Sequence, residues 1–436
     1  AIVTSCAPSG EQSKSLDDLD LFLASVEEDN LKEGPTISSA SWISSNFITY
    51  DSQKVIADYG KKYTLKALET SREASTFNDI ATSDTNRRQL ELLKSSFIMP
   101  PPFDEKLAGE LSSISTKLDA MYGSGKHCYE DGTCYNLGEF EQIMDNSRNS
   151  NQLLKAWTGW HEIGKPMKPM YMRMIEIGNQ GSQDLGFDGL SDLWFSKYDM
   201  PAEKFLEETN RVWEEVKPLY EALHCHVRSK LNDEYGDEVV SLNGPLPVHI
   251  LGNMWGQSWS NIYDLVYTEP KENKSINVTE IIKDRELTEI QMVEYAEDFF
   301  LSIGFEPLPK TFWERSLFVK PLDREVQCHA SAWNLDSANN DLRIKMCIEK
   351  NEEDFITIHH ELGHIFYYQA YNHLPTLFQG GANDGFHEAF GDLLTLSITP
   401  DYLKNIGFIT SEEAESAKED AIGLLMKQAL EGVVVI

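Results

Sequence analysis

His360-Glu361-Leu362-Gly363-His364 forms an H-E-x-x-H pattern inside the run from Phe355 to Tyr368. No proline interrupts the run, and Glu352, Glu353 and Asp354 precede it, which suits the positive end of a helix. Residues four apart lie on one helical face, so His360 and His364 can reach one ion. Glu361 lies beside them, placed to take a proton from an attacking water. The plainer alternative is a buried helix with two satisfied histidines. A third ligand decides between them. It does not come from the same run, because Tyr367 and Ala370 stand where Gly and His would complete that set. A carboxylate from a later helix is the other common solution. Gly385-Phe-His-Glu-Ala-Phe-Gly-Asp392 supplies one after a loop holding Pro375, Gly380, Gly381 and Asn383. Glu388 is the expected ligand, and Asp392 sits one turn on, placed to hold a ligand histidine. Asn383 or Asp384 is expected to cap this helix. A solvated face is the alternative for both carboxylates, but Phe386, Ala389, Phe390, Leu393 and Leu394 are expected to be buried. Together the two helices point to hydrolysis at zinc.

The elements that must position these residues read as mainly helical. Ser15 can cap a helix carrying Leu16, Leu19, Phe22, Leu23 and Val26, with a break at Gly34-Pro35. Helices follow over 51–74, 85–97, 104–121, 137–144 and 152–163, and Pro201 opens a long one to Tyr235 that holds Pro218. Strand signals are few. The two best, 326–332 and 342–348, are joined through Asn339-Asn340-Asp341 as a hairpin. Trp255, Trp259 and Tyr263 repeat every four residues, as on one packed helical face. Gln257 falls on another face and could line a cleft.

The 436 residues suffice for a large core with more than one lobe. Residues 1–15 read as a polar lead-in and 16–436 as the catalytic region. The net charge of −33 argues against a nucleic-acid partner, since phosphate neutralisation needs Lys and Arg. Among six cysteines, Cys128 with Cys134 and Cys328 with Cys347 form two local pairs that suggest disulfides and an oxidising compartment, free thiols being the alternative. Cys225 lies in a helical pattern and is expected to be a free core thiol. Val3-Thr4-Ser5-Cys6 resembles the end of a bacterial lipoprotein signal, making Cys6 a candidate lipid anchor, although no hydrophobic stretch precedes it. No run reaches the roughly 18 apolar residues of a membrane span. Asn273-Lys-Ser275 and Asn277-Val-Thr279 are glycosylation sequons, meaningful in a eukaryotic secretory host.

Leu246 to Leu265, Cys328-His-Ala-Ser-Ala-Trp333, His359-His-Glu-Leu-Gly-His364 and Gly381 to Asp392, in this order, resemble the angiotensin-converting enzyme family of zinc dipeptidyl carboxypeptidases. Weaker similarity runs from about Leu16 to Leu430, and the N-terminal portion is more similar to single-domain bacterial members. The resemblance implies a two-lobed helical protein with a deep central cleft and an N-terminal helical lid. It makes His360, His364 and Glu388 the zinc ligands, Glu361 the general base and acid, and Asp392 the carboxylate behind a ligand. It assigns His329 (side chain) and Ala330 (main chain) to the substrate backbone, and Gln257 to the substrate's C-terminal carboxylate. Asn334 stands where the family usually has Asp.

The resemblance further implies oligopeptide substrates with a free C-terminus, dipeptide release, an extracytoplasmic setting, and chloride as a second ion. An endopeptidase with the same metal site and an inactive binding member are the alternatives. The family's domain continues beyond the point matching Ile436, with groups for the C-terminal carboxylate, the oxyanion and chloride. The 436-residue chain by itself is therefore expected to be poorly soluble and nearly inactive.

Overall fold

The computed structural model describes residues 14–81, 83–267, 276–383, 385–419 and 421–434. Cys6, the Asn273 sequon, Asp384 and the last two residues lie outside them. The described chain is mainly α-helical, with two small antiparallel hairpins.

Ser15 begins α1 (Leu16–Asn46) with a capping box: its hydroxyl accepts from the Asp18 N–H, and the Asp18 carboxylate accepts from the Ser15 N–H. The break expected at Gly34-Pro35 does not occur. A proline removes one helical hydrogen bond, but α1 is held on both sides of it, against α2 (Tyr50–Ser75) and, near its end, against the hairpin below. The α3 (Asp84–Ser95) and α4 (Glu105–Gly123) helices pack on α2. A short hairpin, β1 (Lys126–Cys128) and β2 (Cys134–Asn136), is closed by the Cys128–Cys134 disulfide where the sequence suggested a loop. Next come α5 (Leu137–Asn146), α6 (Ser150–His161), α7 (Gly164–Asp184), α8 (Leu190–Phe195) and α9 (Ala202–Tyr235). The α7 helix had no clear sequence signal, because Pro166 and Pro169 punctuate its first turns.

Two expectations fail in this half. Cys225 is an exposed free thiol, not a core one. The apolar face of α9 is Leu223, Val227 and Leu231, and a residue two positions from Leu223 points to the opposite side. Trp255, Trp259 and Tyr263 do not share a helix. Gly252 and Gly256 take φ of +80° and +66°, which breaks the chain into turns before a 3₁₀ turn at 260–262 and α10 (Tyr263–Val266). Trp259 is buried, whereas Trp255 is 38% exposed.

The second half contains α11 (Val278–Asp284), α12 (Glu289–Ser302), α13 (Lys310–Arg315), β3 (Ser331–Asp336), β4 (Asp341–Lys345), α14 (Glu352–Tyr371), α15 (Phe386–Thr395), α16 (Pro400–Asn405), α17 (Ser411–Glu419) and α18 (Ala421–Gln428). In the hairpin, Ser331 pairs with Lys345 and Asn334 with Leu342. Both strands differ from the expected spans. The Gln327 N–H bonds Ser45 O of α1 rather than β4, so β3 starts at Ser331. The Met346 and Ile348 N–H groups bond Leu317 and Phe318, so β4 ends at Lys345.

Two main hydrophobic clusters hold the chain. One joins α11, α12, β4, α14 and α15 through residues such as Met292, Phe300, Ile344, Phe355, Ile358, Leu362 and Phe366. The other joins α5, α6, α9 and the 250–266 segment.

Candidate metal centre

Asn351 caps α14 through its side chain, which accepts from the Asp354 N–H, and three acidic residues fill the first turn. The buried face of α14 (Phe355, Ile358, Leu362, Ile365 and Phe366) fixes the helix in the core. That leaves His360, Glu361 and His364 to be presented by a rigid support. The α15 helix crosses α14 at two glycines. A Cβ on Gly363 would meet Gly391 Cα at 3.0 Å, and a Cβ on Gly391 would meet the His360 ring at 2.7 Å. Only glycines permit this approach, and it brings Glu388 and Asp392 to the histidines.

The ligand atoms of His360, His364 and Glu388 lie within 4.8 Å of one another. His364 Nε2 is 3.1 Å from His360 Nε2, and the Glu388 oxygens are 3.2 Å from His360 Nε2 and 3.7 Å from His364 Nε2. Zinc bonds of about 2.0–2.2 Å in a tetrahedron require ligand separations of about 3.3–3.5 Å. The three donors therefore fit zinc in type and spacing.

The outward nitrogens of both histidines are occupied. His360 Nδ1 donates to Asp392 Oδ1 at 2.9 Å. His364 Nδ1 is 3.2 Å from His387 Nδ1, and His387 Nε2 is 2.8 Å from the Tyr371 hydroxyl. With Nε2 of His364 turned to the ion, its Nδ1–H donates to His387 Nδ1, and the Nε2–H of His387 donates to Tyr371. His387 and Tyr371 were not singled out from sequence, although His387 adjoins Glu388. His359, completely buried, is fixed separately: its ring nitrogens lie 2.8 Å from Phe355 O and 2.8 Å from Tyr402 Oη.

Glu361 is buried, and its Oε2 has no hydrogen-bond partner. Burial pushes its carboxyl up to about 7, the neighbouring His360 and Lys345 charges opposing and Glu388 reinforcing the shift. By contrast, Glu388 and Asp392 are open, with side chains 69% and 70% exposed. Their neighbours Phe386, Ala389 and Leu393 are exposed too, against expectation, and only Leu394 of the expected set is fully buried. The face of α15 toward α14 is completed by glycine, which leaves its larger side chains on the outer side. The expected side-chain cap of α15 is also absent from Asn383, whose amide instead donates to Lys197 O and Asp199 Oδ2.

His329 is exposed, with Nδ1 3.0 Å from Ala330 O, and both residues immediately precede β3. That strand packs on α14, and Tyr368 Oη donates to Ala332 O at 3.4 Å. Gln257 is exposed on the irregular segment after Gly256, with no contact to the ligand group among the described residues. The Cys328–Cys347 disulfide ties the segment before β3 to the end of β4.

The profile described as Peptidase_M2, angiotensin-converting enzyme, matches residues 13–436. The chain is 37% identical over 404 residues to the angiotensin-converting enzyme of Bos taurus, covering 92% of this chain and 30% of that protein. It is 37% identical over 403 residues to that of Sus scrofa, with 91% and 30% covered. It is 32% identical over 422 residues to that of Haematobia irritans exigua, with 95% and 68% covered. The chain thus spans under a third of the length of the mammalian relatives. With the profile matched across nearly its whole length, the chain belongs to the angiotensin-converting enzyme family.

Proposed function

We propose that this chain carries the catalytic centre of a zinc peptidyl-dipeptidase, which releases dipeptides from the free C-terminus of oligopeptides. One observation carries the reading: three ligand atoms of zinc type converge on one point beside a buried, unpartnered carboxylate oxygen of Glu361. His360, His364 and Glu388 would hold the zinc, which when bound polarises the scissile carbonyl and lowers the pKa of water to about 7. Glu361 takes a proton from the attacking water and delivers it to the leaving nitrogen. Its carboxyl, raised to about 7 by burial, can both accept and return that proton near neutral pH. Asp392 keeps His360 in the tautomer that presents Nε2, and His387 does the same for His364. His329 and Ala330 align the peptide backbone. Gln257 helps hold the substrate's terminal carboxylate, and that register makes the product a dipeptide.

Two disulfides and the strongly acidic composition support an extracytoplasmic setting. No helix among the described residues is long and apolar enough to cross a membrane. The test is product mapping with the complete gene product and a decapeptide offered as free acid and as C-terminal amide. Stepwise dipeptide loss from the acid, strongly slowed by the amide, is expected. Equal internal cleavage of both would contradict the reading and favour an endopeptidase.

A further inference from the structure

Lys345 is fully buried at the end of β4. Its Nζ donates to Gln327 O at 2.5 Å and to His329 O at 2.8 Å, and lies 3.5 Å from Gln327 Oε1. The three ammonium protons thus find their acceptors on one short segment, residues 327–329. Among the described residues no carboxylate makes an ion pair with it. Its hydrogen bonds go to neutral oxygens, and the charges of Glu361 and Asp119 act on it without direct contact, so burying the ammonium is costly. An apolar side chain of the same length would fill the space without that cost. The charge therefore serves something that packing does not require.

What it holds is the segment leading into β3. Lys345 grips the carbonyls of residues 327 and 329, and Cys328 between them is joined to Cys347. Three consecutive residues are thereby pinned from behind. With the carbonyls of 327 and 329 held by Lys345, the backbone of His329 and Ala330 is fixed where the chain enters β3, the strand that packs on α14. Unlike the buried carboxylates elsewhere in the chain, this group stands directly behind the edge proposed to receive the peptide.

The geometry points to Lys345 as a positioning residue, which fixes the peptide-aligning edge at His329 and Ala330 through the backbone carbonyls of Gln327 and His329. The inference rests on the peptidase reading above and adds a residue that acts on substrate alignment without touching substrate. Lys345 neither ligates the metal nor moves a proton in the reaction. Its charge also holds the Glu361 carboxyl down against the larger rise from burial, so its removal should be read first in peptide binding and, to a smaller extent, in kcat.

The test compares the zinc-loaded complete gene product with its Lys345→Met and Lys345→Gln variants. For an N-blocked tripeptide, Lys345→Met should raise KM about tenfold, equivalent to about one backbone hydrogen bond, with a smaller change in kcat. Zinc affinity should stay within about twofold, since the ligands are untouched. Lys345→Gln, which keeps a donor, should recover part of the loss. The melting temperature of Lys345→Met should not fall, because a buried charge is removed with its desolvation cost. A substrate with an ester in place of the amide that meets the edge should lose affinity in the wild type and much less in Lys345→Met, a non-additive cycle. An unchanged KM, an additive cycle, or collapse of the fold in both variants would overturn the inference. If the wild type itself releases no dipeptide, the peptidase reading fails, and calorimetric binding of the same tripeptide to the three proteins then decides the role of Lys345.

Discussion

At the residue scale, the division of labour around the metal can be tested one side chain at a time. Glu361→Gln keeps the shape and removes the base, so turnover should fall about 10²–10⁴-fold while zinc content stays at one per chain. Loss of zinc in that variant would show that Glu361 supports the ligands rather than the reaction. His387→Ala removes the acceptor behind His364 Nδ1 and should weaken zinc about 10–100-fold, read by competition with a chelator of known affinity. Zinc affinity equal to wild type would mean that His364 needs no partner for its tautomer. The cluster proposed to hold zinc could be read from the sequence because helical spacing puts His360 and His364 on one face, and because Glu388 and Asp392 repeat that spacing. His387 and Lys345 were not legible. A histidine beside a ligand and a lysine in a strand look ordinary until the fold shows what lies behind them.

At the element scale, the centre depends on two helices crossing at glycine. Gly391→Ala would drive a methyl group into the His360 ring. It should abolish tight zinc binding while destabilising the zinc-free protein by only about 1–3 kcal/mol, the usual range for overpacking. Wild-type zinc affinity in that variant would show that the two helices can part without cost. The Cys328–Cys347 bridge closes a separation of 19 residues. Replacing both cysteines by serine should therefore cost about 3 kcal/mol in chemical denaturation. The elements most visible in the sequence were those with a polar cap and no internal proline, such as α2, α4 and α14. Those hidden or misread involved glycine and proline. Pro35 sits inside α1 because neighbours hold the helix on both sides. Pro166 and Pro169 masked α7. Gly252 and Gly256 turned a four-residue aromatic period into a series of turns.

At the scale of the whole molecule, a formal charge of −33 is combined with acidic groups packed near one another where α5 meets the start of α14. Burial first, and then the charge of Glu353, pushes Asp145 up to about 8 and Glu141 up to about 7; Asp354 is raised to about 7 for the same reasons. These carboxyls hold their protons in the folded state at a pH where the unfolded chain has released them. Their contribution is complete below the ordinary carboxylate pKa and is lost as pH rises through about 7 to 8. His359, held down to about 4 by burial, works the other way, losing its contribution as pH falls below its ordinary value of 6.5. Glu361, raised to about 7, adds to the first group and His364, held down to about 4, to the second, so four carboxyls stand against two imidazoles. The zinc-free protein should therefore melt at a higher temperature near about pH 5 than near about pH 8.5, and Asp145→Asn should flatten that slope. A melting temperature that rises with pH across this window would contradict the assignment. The central claim, zinc-dependent peptide hydrolysis at the His360, His364 and Glu388 centre, is tested most directly by incubating the complete gene product with an N-blocked tripeptide, with and without a chelator. The account predicts dipeptide release that the chelator stops and added zinc restores. Release that continues in the chelated protein, or no release with one zinc bound per chain, would contradict it.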